Sequence, residues 1–171
     1  GAVMPSSAIQ VPSFKNGFAR SAGEARYPHL WRGLVGAWCP SLGPTGNVLH
    51  DWSGRWNRGT LTNMDPATDW VVSGQQYSLD LDGSNDYIGC GSAAVLNLTR
   101  MTIAAWLRSS GSSGEAAIVG KGSYGSSGYH LTHSGGGGNV NGIYFHLQGN
   151  FVLSTSTLND SIWHFIAATY D

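Results

Sequence analysis

Chemistry in this chain would come from clustered oxygens. In YSLDLDGSNDYIGCG, residues 77–91, Leu79 and Leu81 fall on one face of a period-two strand, with Asp80 and Asp82 on the other. Gly83-Ser84-Asn85-Asp86 follows as a turn of residues that accept tight or left-handed backbone, and Tyr87, Ile88 and Cys90 open a second strand. The stretch is therefore expected to be a β-hairpin whose turn is ringed by Asp80, Asp82, Asn85 and Asp86. Oxygen ligands at a strand end and turn suit a hard cation, so these four are candidate Ca2+ ligands, with Asp51 a distant fifth. The competing reading makes the same residues turn formers and nothing more.

Other constellations are weaker. Asp80-x-Asp82 sets two carboxylates about 6–7 Å apart by strand rise, whereas a retaining glycosidase needs about 5–5.5 Å. His130 and His133 have an HxxH spacing, but on a strand they point to opposite faces and cannot share a metal; His146 lies on a neighbouring segment. No Ser-His-Asp order, phosphate loop or cysteine-rich metal pattern is present, so no catalytic residue is assigned. For carbohydrate, rings must stand at a rim beside polar neighbours. Trp56, flanked by Arg55, Asn57 and Arg58, is the best exposed candidate; Tyr124 sits in a Gly/Ser turn. Trp56, Arg58 and Tyr124 are thus the expected carbohydrate contacts, while Trp52 and Trp70 read as core plugs.

The elements that must position these residues are short strands. The 171 residues include 25 glycines and 7 tryptophans, with only 11% charged and a net charge of -1. This excludes an electrostatic footprint for nucleic acid or an anionic membrane. No apolar run is long enough to insert into a bilayer. Met4 follows Gly1-Ala2-Val3, so the chain reads as a processed, tagged or partial product, and no signal peptide is visible. Cys39 and Cys90 are read as separate, mostly buried thiols. Strands are expected at residues 33–38, 48–51, 60–62, 70–72, 101–107, 116–121, 129–133, 142–147, 151–155 and 162–170, with a helical turn at 92–96. The glycine tract 135–138 predicts a mobile loop.

Four segments carry a family resemblance. LDLDGSNDYI resembles the LDFDGxDDYV strand-turn-strand of laminin-G-like, concanavalin A-like jelly-roll modules. GLVGAW at 33–38 is similar to their opening strand, residues 51–61 to their DxSGxxNxGTL loop, and IWHFIAATYD at 162–171 to their W-H-x-V-A-x-T-Y-D strand. The resemblance implies an all-β, antiparallel β-sandwich (jelly roll, concanavalin A-like) at 33–171. It also implies a rim calcium, and it covers lectins, hydrolases, adhesion modules and structural domains alike. The family's hydrolases carry ExDxE glutamates, and here Glu24 and Glu115 lie far from the aspartate pair, so the reading is non-enzymatic. Where the family has a small residue and then Asn-His, this chain has Trp56-Asn57-Arg58. The family continues past the TYD strand, so further residues, a shortened module or a partner's strands are expected to close the sandwich.

Residues 1–32 do not resemble the module. Pro5, Pro12 and Pro28 predict an extended arm, with a short helix over 18–26; Phe14, Phe18, Tyr27 and Trp31 are its anchors, docking on its own domain or on a neighbouring subunit. Two functions follow. The first is an extracellular or surface adhesion module for a glycan or glycoprotein surface. The second is a homo-oligomeric or larger assembly subunit, such as a virion decoration, fibre or surface-layer protein, with the arm and open edge as contacts.

Overall fold

The computed structural model describes residues 28–110, 114–123, 126–133, 142–154 and 156–171. Among them are eleven strands, every pairing antiparallel, and only short helical turns. The chain divides into two compact units, Gly1–Ser92 and Ala93–Asp171. This boundary falls inside the segment 33–171 that the sequence reads as one sandwich. The arm anchors Phe14, Phe18 and Tyr27, the expected helix at 18–26, Tyr124 and the glycine tract 135–138 lie outside the described residues. Trp31 is half-buried at the end of a single helical turn, Pro28–Trp31.

In the first unit, β1 (Val48–Leu49), β2 (Gly59–Thr62) and β5 (Tyr87–Gly89) form one sheet in the order β1-β2-β5. β3 (Trp70–Ser73) and β4 (Gln76–Leu79) form a separate hairpin. Alternation is clearest in β2, where Gly59 and Leu61 are buried and Thr60 is exposed. Leu49, Leu61, Met64 and Trp70 make the core, with Trp38, Leu79 and Ile88 packed on it. Gly59 must stay glycine because a Cβ there would overlap the Ile88 side chain. Trp70 is the expected plug, buried with its indole N–H donated to the Gly46 carbonyl at 3.0 Å. Trp52 is not one, since it is 38% exposed.

Two expectations fail here, each for a local reason. Residues 77–91 are not a hairpin, because β4 pairs with β3 and β5 with β2. The Gly74-Gln75 loop, led by a glycine at φ +67, offers β4 a nearer partner through a two-residue turn. Residues 33–38 form no strand beyond a single bridge, Trp38 to Asp51. Their main-chain groups bond a loop instead, as described below. The thiols also differ from expectation. Both are free, but Cys39 is exposed; Cys90 is half-buried, and burial, aided by the Asp51 charge, pushes it up to about 11.

In the second unit, β7 (Ala116–Lys121), β8 (Tyr129–His133), β9 (Ile143–Leu147) and β10 (Asn150–Leu153) form a sheet in the order β10-β9-β8-β7. β6 (Met101–Arg108) pairs with β11 (Trp163–Tyr170) along its whole length. Tyr129, Leu131, Ile143, Phe145 and Leu147 pack with Met101, Leu158 and the inward residues Ile103, Leu107, Ile166 and Ala168 of the β6–β11 pair. This is sheet-on-sheet packing, with side chains alternating in and out along β6, β9 and most of β11. β8 is buried along its entire length and on both faces, and Leu131 has no exposed surface.

Burial of β8 includes two histidines. His133 lies on the Leu131 face. His130 lies on the opposite face, directly across from His146 of β9. Burial lowers the His130 pKa, with the His146 charge adding to it, and burial alone lowers that of His133. The unfolded chain therefore binds protons below about pH 6.5 that the folded chain refuses. Stability should be level above that value and fall as pH drops below it, toward the depressed folded values. Urea midpoints measured from pH 8 to pH 5 should trace this fall, and His133→Leu should make it shallower. A pH-independent midpoint over that range would contradict it.

Candidate functional site

The loop 51–58 is built on one carboxylate. Asp51 Oδ1 accepts the Ala37 and Ser53 N–H groups, each at 2.9 Å. Its Oδ2 accepts the Ser53 hydroxyl at 2.8 Å and the Asn57 N–H at 2.9 Å. The Ser53 hydroxyl in turn accepts the Arg55 N–H at 3.1 Å. Asn57 is 5% exposed; its side-chain amide donates to the Val35 carbonyl at 2.8 Å, and its own carbonyl takes the Trp38 indole N–H at 2.7 Å. Buried polar groups need such partners, and an ionised acceptor makes the bonds stronger. The 33–38 segment is thus tied to the loop by its backbone, which is why it is not a sheet strand.

Between these anchors the chain lifts one residue clear. Trp56 has φ +62 and is 74% exposed. A bulky residue in the left-handed region costs roughly 1–3 kcal/mol and persists where its surroundings over-determine it. Here the Asn57 N–H is fixed to Asp51 on one side and the Arg55 N–H to Ser53 on the other. The Arg58 guanidinium carbon sits 5.2 Å from the centre of the Trp56 ring, a cation–π contact. Trp56 and Arg58 therefore form one exposed feature. Its scaffold residues, Ser53 and Asn57, have no reactive chemistry to single them out; their signal lay in the 51–61 pattern.

The turn 82–86 is braced by its own side chains. Asp82 Oδ1 accepts the N–H groups of Ser84 at 2.8 Å, Asn85 at 3.2 Å and Asp86 at 3.4 Å. Asp86 Oδ2 accepts the Asp82 N–H at 3.0 Å. The Asn85 carbonyl is taken by the Asn63 side chain at 2.9 Å. Asp80 lies beyond the end of β4, its N–H bonded to the Asp69 carbonyl at 2.9 Å. Asp82, Asn85 and Asp86 thus share one turn, and Asp80 precedes it. Among the described residues no group of three or more His, Cys, Asp or Glu side chains could hold a metal ion. Asp80 and Asp82 both lie outside the strands, between β4 and β5. The Ser84 N–H, followed by those of Asn85 and Asp86, holds the Asp82 carboxyl below the usual carboxylate range.

The histidines divide as their spacing requires, His130 and His133 on opposite faces of β8. On the His130 face, His146 stacks on Tyr144 at 5.6 Å and Phe151 leans on both. Among the described residues, no helix is long and apolar enough to cross a membrane.

With this geometry in place, comparison with known families has a structural counterpart. A laminin-G-type family model, described as the concanavalin A-like lectin/glucanases superfamily, matches residues 82–171, a little over half of the chain. The chain belongs to that superfamily. Comparison with curated proteins and with solved structures gave no match. The matched span includes all of the second unit and the 82–86 turn; Trp56 and the Asp51 loop lie before it.

Removing the Asp51 carboxylate leaves three main-chain N–H groups, those of Ala37, Ser53 and Asn57, without their acceptor. Asp51→Ala should cost about 3 kcal/mol by chemical denaturation, since bonds to a charged acceptor are worth roughly 1.5–3 kcal/mol each and some regain water. Tryptophan emission should also change as Trp38 and Trp56 lose their fixed settings. A loss below about 0.5 kcal/mol, the level of an ordinary surface substitution, would refute the hub.

Proposed function

We propose that the protein is a non-catalytic binding module of the cell exterior, cell surface or a virion, and that its ligand is a glycan or glycoprotein engaged at Trp56. The observation that carries this reading is the exposed, conformationally strained Trp56 with Arg58 against its ring. A flat indole offers an apolar face to the C–H face of a pyranose, and the guanidinium beside it supplies donors for hydroxyls. The hydrogen bonds on either side hold this strained conformation, and strain retained at an exposed aromatic residue points to a use for the ring. The superfamily hosts lectins as well as glucanases, so membership is compatible with binding but does not select it.

Trp56→Ala should reduce retention on immobilised glycans at least tenfold with the circular dichroism spectrum unchanged. Trp56→Gly separates strain from binding: it relieves the left-handed backbone, so the melting temperature should hold or rise while binding is lost. Wild-type retention that survives both substitutions would sink the reading.

A second reading, a subunit of a repeating assembly, draws on a different observation. The outward face of the β6–β11 pair exposes Trp106 (66%) and Phe165 (59%), whose rings lie 5.4 Å apart, with Arg108 over Trp163 beside them. Such a face is expensive to leave in water. If the native mass is many times that of the chain and drops to one chain in Trp106→Ser/Phe165→Ser, assembly becomes the primary role. A native mass of one chain for the wild type removes this reading.

A further inference from the structure

A cleft of about 380 Å3 opens at one end of the four-stranded sheet, where Lys121 ends β7, Tyr129 begins β8 and Gln148 follows β9. The register places these ends together, with Lys121 opposite Tyr129 and Tyr129 opposite Leu147. Leu96 and Leu98, from the segment preceding β6, close the other side.

The cleft is constructed by backbone constraints. Gly122 has φ +95, and a Cβ there would stand 2.6 Å from the Ser127 carbonyl oxygen. Gly128 has φ +75, and a Cβ there would overlap the Lys121 carbonyl. The two strand ends thus approach more closely than any side chain permits, and both residues line the cleft. Its floor is fixed by Tyr129, which is 6% exposed and donates its hydroxyl to the Leu96 carbonyl at 3.1 Å. At the mouth, Gln148 and Gly149 have φ +48 and +85, the pattern of a type I′ turn. Asn, Asp or Gly usually fills that first position. Gln places a longer amide there, and its main-chain N–H bonds the Gly128 carbonyl at 3.0 Å.

The lining has a definite chemical character. Leu96, Leu98 and Tyr129 form an apolar wall; Thr99 and Gln148 bring hydrogen-bonding groups; Lys121 is the cation. Among the described residues no carboxylate forms an ion pair with Lys121. An ammonium on a flexible stem is a point charge that accepts a carboxylate without demanding bidentate geometry. The volume lies near the lower end of the range for small-molecule sites, room for one sugar ring with its bound water and too small for an extended chain.

The geometry points to a second binding site in this cleft, for a single carboxylate-bearing monosaccharide such as a uronic acid at a glycan end. The ring's C–H face lies on the leucines and Tyr129, its carboxylate on Lys121, and its hydroxyls toward Thr99 and Gln148. This site belongs to the second unit, does not involve Trp56, and stands whether or not Trp56 binds glycan.

The test titrates the full chain with sodium glucuronate, followed by amide chemical shifts. Saturable shifts at Leu98, Lys121 and Gln148 are expected. Glucose and the uncharged methyl ester of glucuronic acid should bind at least tenfold more weakly. Lys121→Met should weaken the glucuronate-induced shifts at Leu98 and Gln148 at least tenfold. Because the methyl ester comparison uses the wild-type chain, it decides even if Lys121→Met fails to fold. Equal responses to glucuronate and its methyl ester, equal responses to glucuronate and acetate, or no saturable shift at these amides would overturn the site.

Discussion

The first unit depends on the carboxylate of Asp51. Four hydrogen bonds converge on its two oxygens, from Ala37, Ser53 twice and Asn57. An ionised acceptor surrounded by donors stabilises backbone that neither helix nor sheet satisfies. Two segments far apart in sequence are thereby joined without a ladder. The same bonds fix the residues on either side of Trp56, so the exposed ring is a consequence of a buried polar network.

The second unit uses a different solution. β8 is covered on both faces and paired on both edges, and Leu131 is its fully buried centre. A strand so placed should read as continuously apolar. Yet it carries His130, Thr132 and His133, all buried. Thr132 Oγ1 and His133 Nε2 have no hydrogen-bond partner among the described residues. Such groups cost free energy that an apolar side chain would not. His130, beside the His146–Tyr144–Phe151 cluster, and His133, on the opposite face, make the interior of this sheet pH-sensitive, because burial lowers the pKa of both.

The two edges of the molecule's chemistry also differ in kind. At 82–86 the acidic side chains accept neighbouring N–H groups, so the carboxylates brace their own turn. At Lys121 and Gln148 the reverse holds. Neither residue attracts notice in the sequence, but glycines that let strand ends close up bring them to one cleft.

Sequence alone determined the all-β class, nearly all strand positions, the opposite facing of His130 and His133, and the exposure of Trp56. Each follows from short-range rules: period-two alternation, turn-forming residues, and a ring flanked by arginines and asparagine in a loop. Tertiary structure decided the partners. Whether residues 76–79 pair forward to 87–89 or back to 70–73 is a competition between turns, and alternation is equally satisfied by both. Whether a carboxylate binds a cation or its own backbone depends on where the N–H groups of the turn point. Whether residues 33–38 make a strand depended on an aspartate fourteen positions beyond Ala37 that took up its N–H. Patterns along a chain specify which face a residue prefers; only packing specifies what that face meets.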